Sequence, residues 1–80
     1  MNETMSGHLA ALRAAEAHAD ETHAPGSPGW KDARRNSRRD HLAALVGEVE
    51  PEAERYLDWL AGWDAETVAG VAALIDAARR

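Results

Sequence analysis

The chain has no cysteine, no phenylalanine, one tyrosine and one lysine in 80 residues. Without cysteine there are no disulfides and no thiolate metal centres, and a reducing cytoplasmic setting fits. Bulky aliphatic residues are scarce as well. Leu, Ile and Val number 12, while alanine alone supplies 18 of the 36 apolar residues. Twelve in 80 is below the roughly one-fifth at which disorder begins to compete with folding. The length allows one small domain, and a core of that size yields only about 3–5 kcal/mol unless something staples it. No run approaches the roughly 18 apolar residues of a membrane-spanning helix. The acidic start Met1-Asn2-Glu3-Thr4-Met5 does not read as a signal peptide. A cytoplasmic protein without membrane attachment is the expectation, and a chain this short is not expected to form a large catalytic cleft by itself.

What is present is unevenly spread. The net charge of −5 divides into −3 over residues 1–29, +3 over 30–47 and −5 over 48–80. A basic island thus lies between acidic flanks, and the whole chain lacks the basic balance of a non-specific DNA binder. Leu9 and Leu12 are the only Leu, Ile or Val outside 42–78. The second half therefore reads as core-forming, and the first half as prone to fray or to order against a second chain.

Four helices are expected. The first covers roughly 5–22, with Met5, Leu9, Leu12 and Ala19 near one face and Ser6 or Asn2 as its cap. Ala24-Pro25-Gly26-Ser27-Pro28-Gly29 is a break, after which Ser27-Pro28 has the form of an N-cap followed by a first helical residue. A second helix then runs to about 46, stopped by Gly47. Pro51 opens a third to about 61, with Ala53, Tyr56, Leu57 and Leu60 on one face. Gly62 ends it. Trp63-Asp64 with Val68 has the spacing of a hydrophobic staple at the start of a fourth helix, to about 79, where Arg79 and Arg80 suit the negative end. Short connections make helices three and four an antiparallel hairpin. The expected fold is all-α, a small three- to four-helix bundle. It is organised as an Ala-rich helix (1–23), a Pro/Gly turn (24–29) and a helical unit (30–80).

Three groups of residues are candidates for function. Arg34, Arg35, Arg38 and Arg39 form two i, i+4 pairs expected to point roughly one way. With Lys31 and Trp30 they suit phosphates, a stacked base or an acidic partner. The plainer reading is a solvated face paired with Glu48, Glu50, Glu52, Glu54 or the acidic first helix. No helix-turn-helix pattern supports base reading. His18, Asp20, Glu21 and His23 split into two pairs facing different ways, a poor match for the converging ligands of zinc. Exposed polar residues are expected there, and no metal or other cofactor. His8 and His41 have no evident partners. No Ser/His/Asp order, phosphate loop or two-histidine helical motif indicates catalysis, and no small-molecule substrate is evident.

Tyr56, Trp59 and Trp63, spaced i, i+3, i+7, form the third group. Either they cover the hairpin, or they remain near the surface as partner anchors. Trp30, Leu9 and Leu12 are further anchor candidates.

The abundance of Ala and Arg suggests a gene of high GC content. The stretch Tyr56-Leu57-Asp58-Trp59-Leu60-Ala61-Gly62-Trp63-Asp64-Ala65-Glu66-Thr67-Val68-Ala69-Gly70-Val71 resembles the C-terminal hairpin of small uncharacterised helical proteins of actinobacteria and their phages. That resemblance covers about a third of the chain, from roughly 53 to 79. It implies a helical hairpin and a bacterial or phage origin, with no activity to carry over. The functional expectation is a non-enzymatic helical module that self-associates or binds a protein partner. The alternative is a small DNA- or RNA-binding accessory regulator using the arginine face.

Overall fold

The computed structural model describes residues 4–79, and it is an all-α four-helix bundle. The helices are α1 (Met5–Thr22), α2 (Pro28–Val46), α3 (Pro51–Ala61) and α4 (Ala65–Ala78). Local chemistry sets their ends. Thr4, not Ser6, caps α1: its hydroxyl accepts from the Gly7 amide at 3.2 Å. Ser6 lies inside the helix, and Asn2 is outside the described residues. Ser27 caps α2 by accepting from the Trp30 amide at 3.2 Å, with Pro28 in the first turn, where no donor is missed. Gly47 stops α2 at φ 70°, a conformation that a Cβ would disfavour. Pro51 opens α3. Asp64 is the N-cap residue of α4, and its carboxylate accepts chiefly from the Thr67 hydroxyl.

Gly62–Asp64 turns the chain from α3 into α4 and so forms the C-terminal hairpin. Its two helices also lean on the rest of the bundle: α4 packs most extensively on α1 and also meets α2, and α3 lies along α2. The core is small. Leu12, Leu42, Leu57 and Val68 are its bulky members, closed by Ala19, Ala61, Ala65, Ala69 and Ala72. Alanine at these positions lets helix backbones approach closely. Leu9, Leu45, Val46, Val49, Leu60, Val71 and Ile75 pack around this centre.

The first helix was expected either to pack on the hairpin or to fray and dock onto another chain, and α1 packs on α4. One expectation changes here. Leu12, expected as a partner anchor, is 1% exposed and belongs to the core, and Leu9 packs against it. Met5 helps to seat α1, its methyl group lying over Gly70 of α4. Leu12 is closed within its own chain and unavailable to a partner, Leu9 is partly covered, and Met5 at the start of the stripe remains 45% exposed.

Candidate functional site

The aromatic row lies on the outside of α3. Leu57 and Ala61 define the buried side of that helix, and at 100° per residue Tyr56 and Trp59 fall roughly opposite; Trp63 follows in the turn after Gly62. They are 54%, 59% and 47% exposed. Their arrangement is ordered. Trp59 and Trp63 meet edge to face, with centroids 5.7 Å apart and planes at 81°, a favoured aromatic geometry. The Arg55 guanidinium lies 5.0 Å from the centre of the Tyr56 ring and donates to the Tyr56 hydroxyl at 3.0 Å. Together the three rings present roughly 300 Å² of aromatic surface to solvent. Patches of this size on small proteins often mark interaction sites.

The arginines do not form one face. Arg35 and Arg39 turn toward α3, where Arg35 donates to the Asp58 carbonyl at 3.0 Å and Arg39 to the Asp58 carboxylate at 2.5 Å. Arg38 reaches the end of the same helix, and Arg34 turns toward α1. Arg34 pairs with Glu16 of α1 and stacks over Trp30 at 4.5 Å. Arg38 donates through Nε to the Ala61 carbonyl at 2.7 Å, at the end of α3. The acidic first helix was an anticipated partner for this cluster. Asp58 was not, and Glu48, Glu50, Glu52 and Glu54 make no ion pair with it among the described residues. Burial, and the neighbouring Arg34 and Arg35 charges, lower the Arg38 pKa from its ordinary value, while Asp64 opposes the shift.

Trp30 is partly buried, and its indole donates to Asp20 at 2.5 Å. It is therefore held within the chain and is not a free anchor. Trp30, Lys31, Arg34, Arg38 and Glu16 form one wall of an open cleft of about 390 Å³, and Gly62, Trp63, Asp64 and Ala65 form the other. No sequence spacing reveals this cleft, because its walls come from α1, α2 and the α3–α4 turn. The Asp64 carboxyl is held below the usual carboxylate range chiefly by the Thr67 hydroxyl donating to it.

The residues that spacing overlooked are at the opposite end of the bundle. His8 of α1 is 2% exposed. Its Nε2 lies 2.6 Å from Oδ2 of Asp76 in α4, and its Nδ1 lies 2.8 Å from Nε2 of His41 in α2. One chain of hydrogen bonds thus ties three helices together. With Asp76 ionised, His8 Nε2–H donates to the carboxylate. One proton then lies between His8 Nδ1 and His41 Nε2, carried by either ring. Protonating both rings would set two N–H groups against each other along that line.

A signal for this network was available. Asp76 continues the buried stripe Ala65, Ala69, Ala72 of α4, and His8 continues Leu12 and Ala19 of α1. Polar groups at such positions need partners. Among the described residues, no three His, Cys, Asp or Glu side chains are grouped so as to hold a metal ion, and no helix is long and apolar enough to cross a membrane. No protein-family model, curated protein or solved structure matches the chain.

Proposed function

We propose that this chain is a non-enzymatic interaction module. It docks through the outer face of α3, in the first instance onto a second copy of itself and otherwise onto a helix of a protein partner. One observation carries the reading. Tyr56, Trp59 and Trp63 stand about half exposed on the side of α3 away from the core, while the core itself is more than half alanine by number. Aromatic residues placed this way are the side chains that dominate interface energies. Two such faces would bury roughly 600 Å² of aromatic surface, a gross gain of about 15 kcal/mol. Association costs about 4–15 kcal/mol, which leaves about 0–11 kcal/mol; micromolar to millimolar affinity, about 4–8 kcal/mol, is the middle of that range.

The alternative, a nucleic-acid regulator, draws less support. Arg34, Arg35, Arg38 and Arg39 each bond within the chain. Binding a phosphate backbone would require breaking several of those bonds.

Sedimentation across a dilution series from about 1 mM to about 1 μM covers the expected range. The expected result is a weight-average mass that falls on dilution for the native chain, and a monomer throughout when Tyr56 and Trp59 are both changed to serine. A native chain that is monomeric at every concentration refutes self-association.

A further inference from the structure

We propose that the cleft between α2 and the α3–α4 turn binds a small aromatic anion: one phosphate-like group carried on a flat ring, as in a nucleoside monophosphate. Size is the first argument. About 390 Å³ falls within the range of small-ligand sites and suits one ligand of this class. A duplex does not fit it, and Arg35 and Arg39, which a longer nucleic acid would need, are turned to Asp58 on another side.

The chemistry of the walls is the second argument. Lys31, Arg34 and Arg38 face a cleft that also carries two indoles, Trp30 and Trp63. Arg38 is anchored through Nε to the Ala61 carbonyl, and among the described residues its terminal nitrogens have no hydrogen-bond acceptor. The guanidinium is therefore held in place with donors to spare, the arrangement suited to binding a phosphate. Arg34 and Arg38 place two like charges on this wall, a repulsion that an incoming anion relieves. Lys31 is exposed and has no acidic partner among the described residues.

Two acids also line the cleft, and each has a definite place. Asp64 is engaged by the Thr67 hydroxyl. Glu16 sits on Arg34, where its carboxylate occupies the position a ligand's anionic group would take, so binding exchanges one anion for another. Trp30 is fixed from two directions, by its bond to Asp20 and by the Arg34 guanidinium over its ring. Trp63 is braced edge-on by Trp59. A ring stacked on either indole loses little freedom beyond its own.

The test is a titration of the full chain with adenosine 5′-monophosphate, followed by ¹H–¹⁵N NMR, with inorganic phosphate and adenosine titrated separately. Saturable shifts are expected at the Trp30 indole and at the Gly62 and Ala65 amides. The nucleotide should bind about tenfold more tightly than either fragment. Arg38→Gln, which removes a charged donor, should weaken binding about tenfold. Lys31→Gln, an exposed change that leaves the bundle intact, should weaken it less and flatten its salt dependence. Glu16→Gln vacates Arg34 and should strengthen binding severalfold. Tyr56→Ser, which leaves the Trp59 brace on Trp63 in place and lies outside the cleft, should bind as the native chain does, which separates this site from the α3 face. The proposal is overturned by no saturable shift at about 10 mM ligand, an affinity below any specific site. It is overturned equally by phosphate alone matching the nucleotide, or by affinity unchanged in both Arg38→Gln and Lys31→Gln.

Discussion

Removing the carboxylate of Asp76 tests whether the buried hydrogen-bond chain holds α1 to the bundle. In Asp76→Ala the Nε2–H of His8, at 2% exposure, loses its acceptor at 2.6 Å. A buried donor left unpaired costs about 1–3 kcal/mol, and bonds to charged groups lie at the upper end. The carboxyl volume removed beside Ala72 adds a small cavity term. A loss of about 2–4 kcal/mol follows. A native domain of this size holds about 4–12 kcal/mol in total, so the variant should be marginal at room temperature. Its melting temperature should fall by at least about 10 °C, since each kcal/mol is worth about 4–8 °C in a domain this small.

Asp76 makes contacts besides the one to His8, so the single variant alone is not decisive. The double-mutant cycle with His8→Ala isolates the pair. Urea unfolding of the native chain, both single variants and the double variant should give a coupling energy of at least about 1 kcal/mol. A coupling indistinguishable from zero refutes the reasoning: His8 and Asp76 would then be neighbours that do not stabilise each other. Long-range ¹⁵N spectra provide an independent check. They should show His8 protonated at Nε2 in the native chain and redistributed between its tautomers in Asp76→Ala.

Other perturbations probe the ends and edges of the helices. Ser27→Ala removes the cap bond to the Trp30 amide and should cost about 1 kcal/mol, read as a lower urea midpoint at unchanged slope. Gly47→Ala should cost about 1–3 kcal/mol; a Cβ there meets nothing within 4 Å, so the loss is backbone strain alone, and because ψ is −147°, outside the left-handed helical region that asparagine tolerates, Gly47→Asn should recover none of it. The Asp64 carboxyl sits below its ordinary value because the Thr67 hydroxyl donates to it. Its contribution is therefore present above the ordinary carboxylate value and lost as pH falls through the lowered one. In Thr67→Val the Asp64 titration followed by NMR should move back up toward 3.8, and a midpoint that stays put would show that the hydroxyl is not the cause.

The helices were legible because their signals are local. Ser27-Pro28, Gly47, Pro51, Gly62 and Asp64 each act through the backbone of the next few residues, whatever the rest of the chain does. The outward position of Tyr56, Trp59 and Trp63 was half legible: periodicity put them in a stripe beside Leu57 and Leu60 but could not say which stripe the bundle would cover. That depends on α2, which takes the Leu57 side. The arginines show the same limit more sharply. A spacing of i, i+4 makes Arg34 and Arg38 one column and Arg35 and Arg39 another. Two columns 100° apart point together only while nothing lies between them. Here α3 draws Arg35 and Arg39 to Asp58 and Arg38 to the Ala61 carbonyl, while α1 draws Arg34 to Glu16, and the cluster is shared between two helices. The buried triad was the least legible because its partners are 33 and 68 positions apart. Yet an acid continuing a stripe of buried alanines, and a histidine continuing a stripe through Leu12, each require a polar partner from another helix. Two such orphans in a chain with few alternatives are better matched to each other than assigned to solvent, and that rule would have paired α1 with α4 from the sequence. It would also have corrected the view of the first helix as an element in need of a second chain. Its anchoring comes from a buried hydrogen-bonded pair as well as from leucines, which aliphatic content alone does not register.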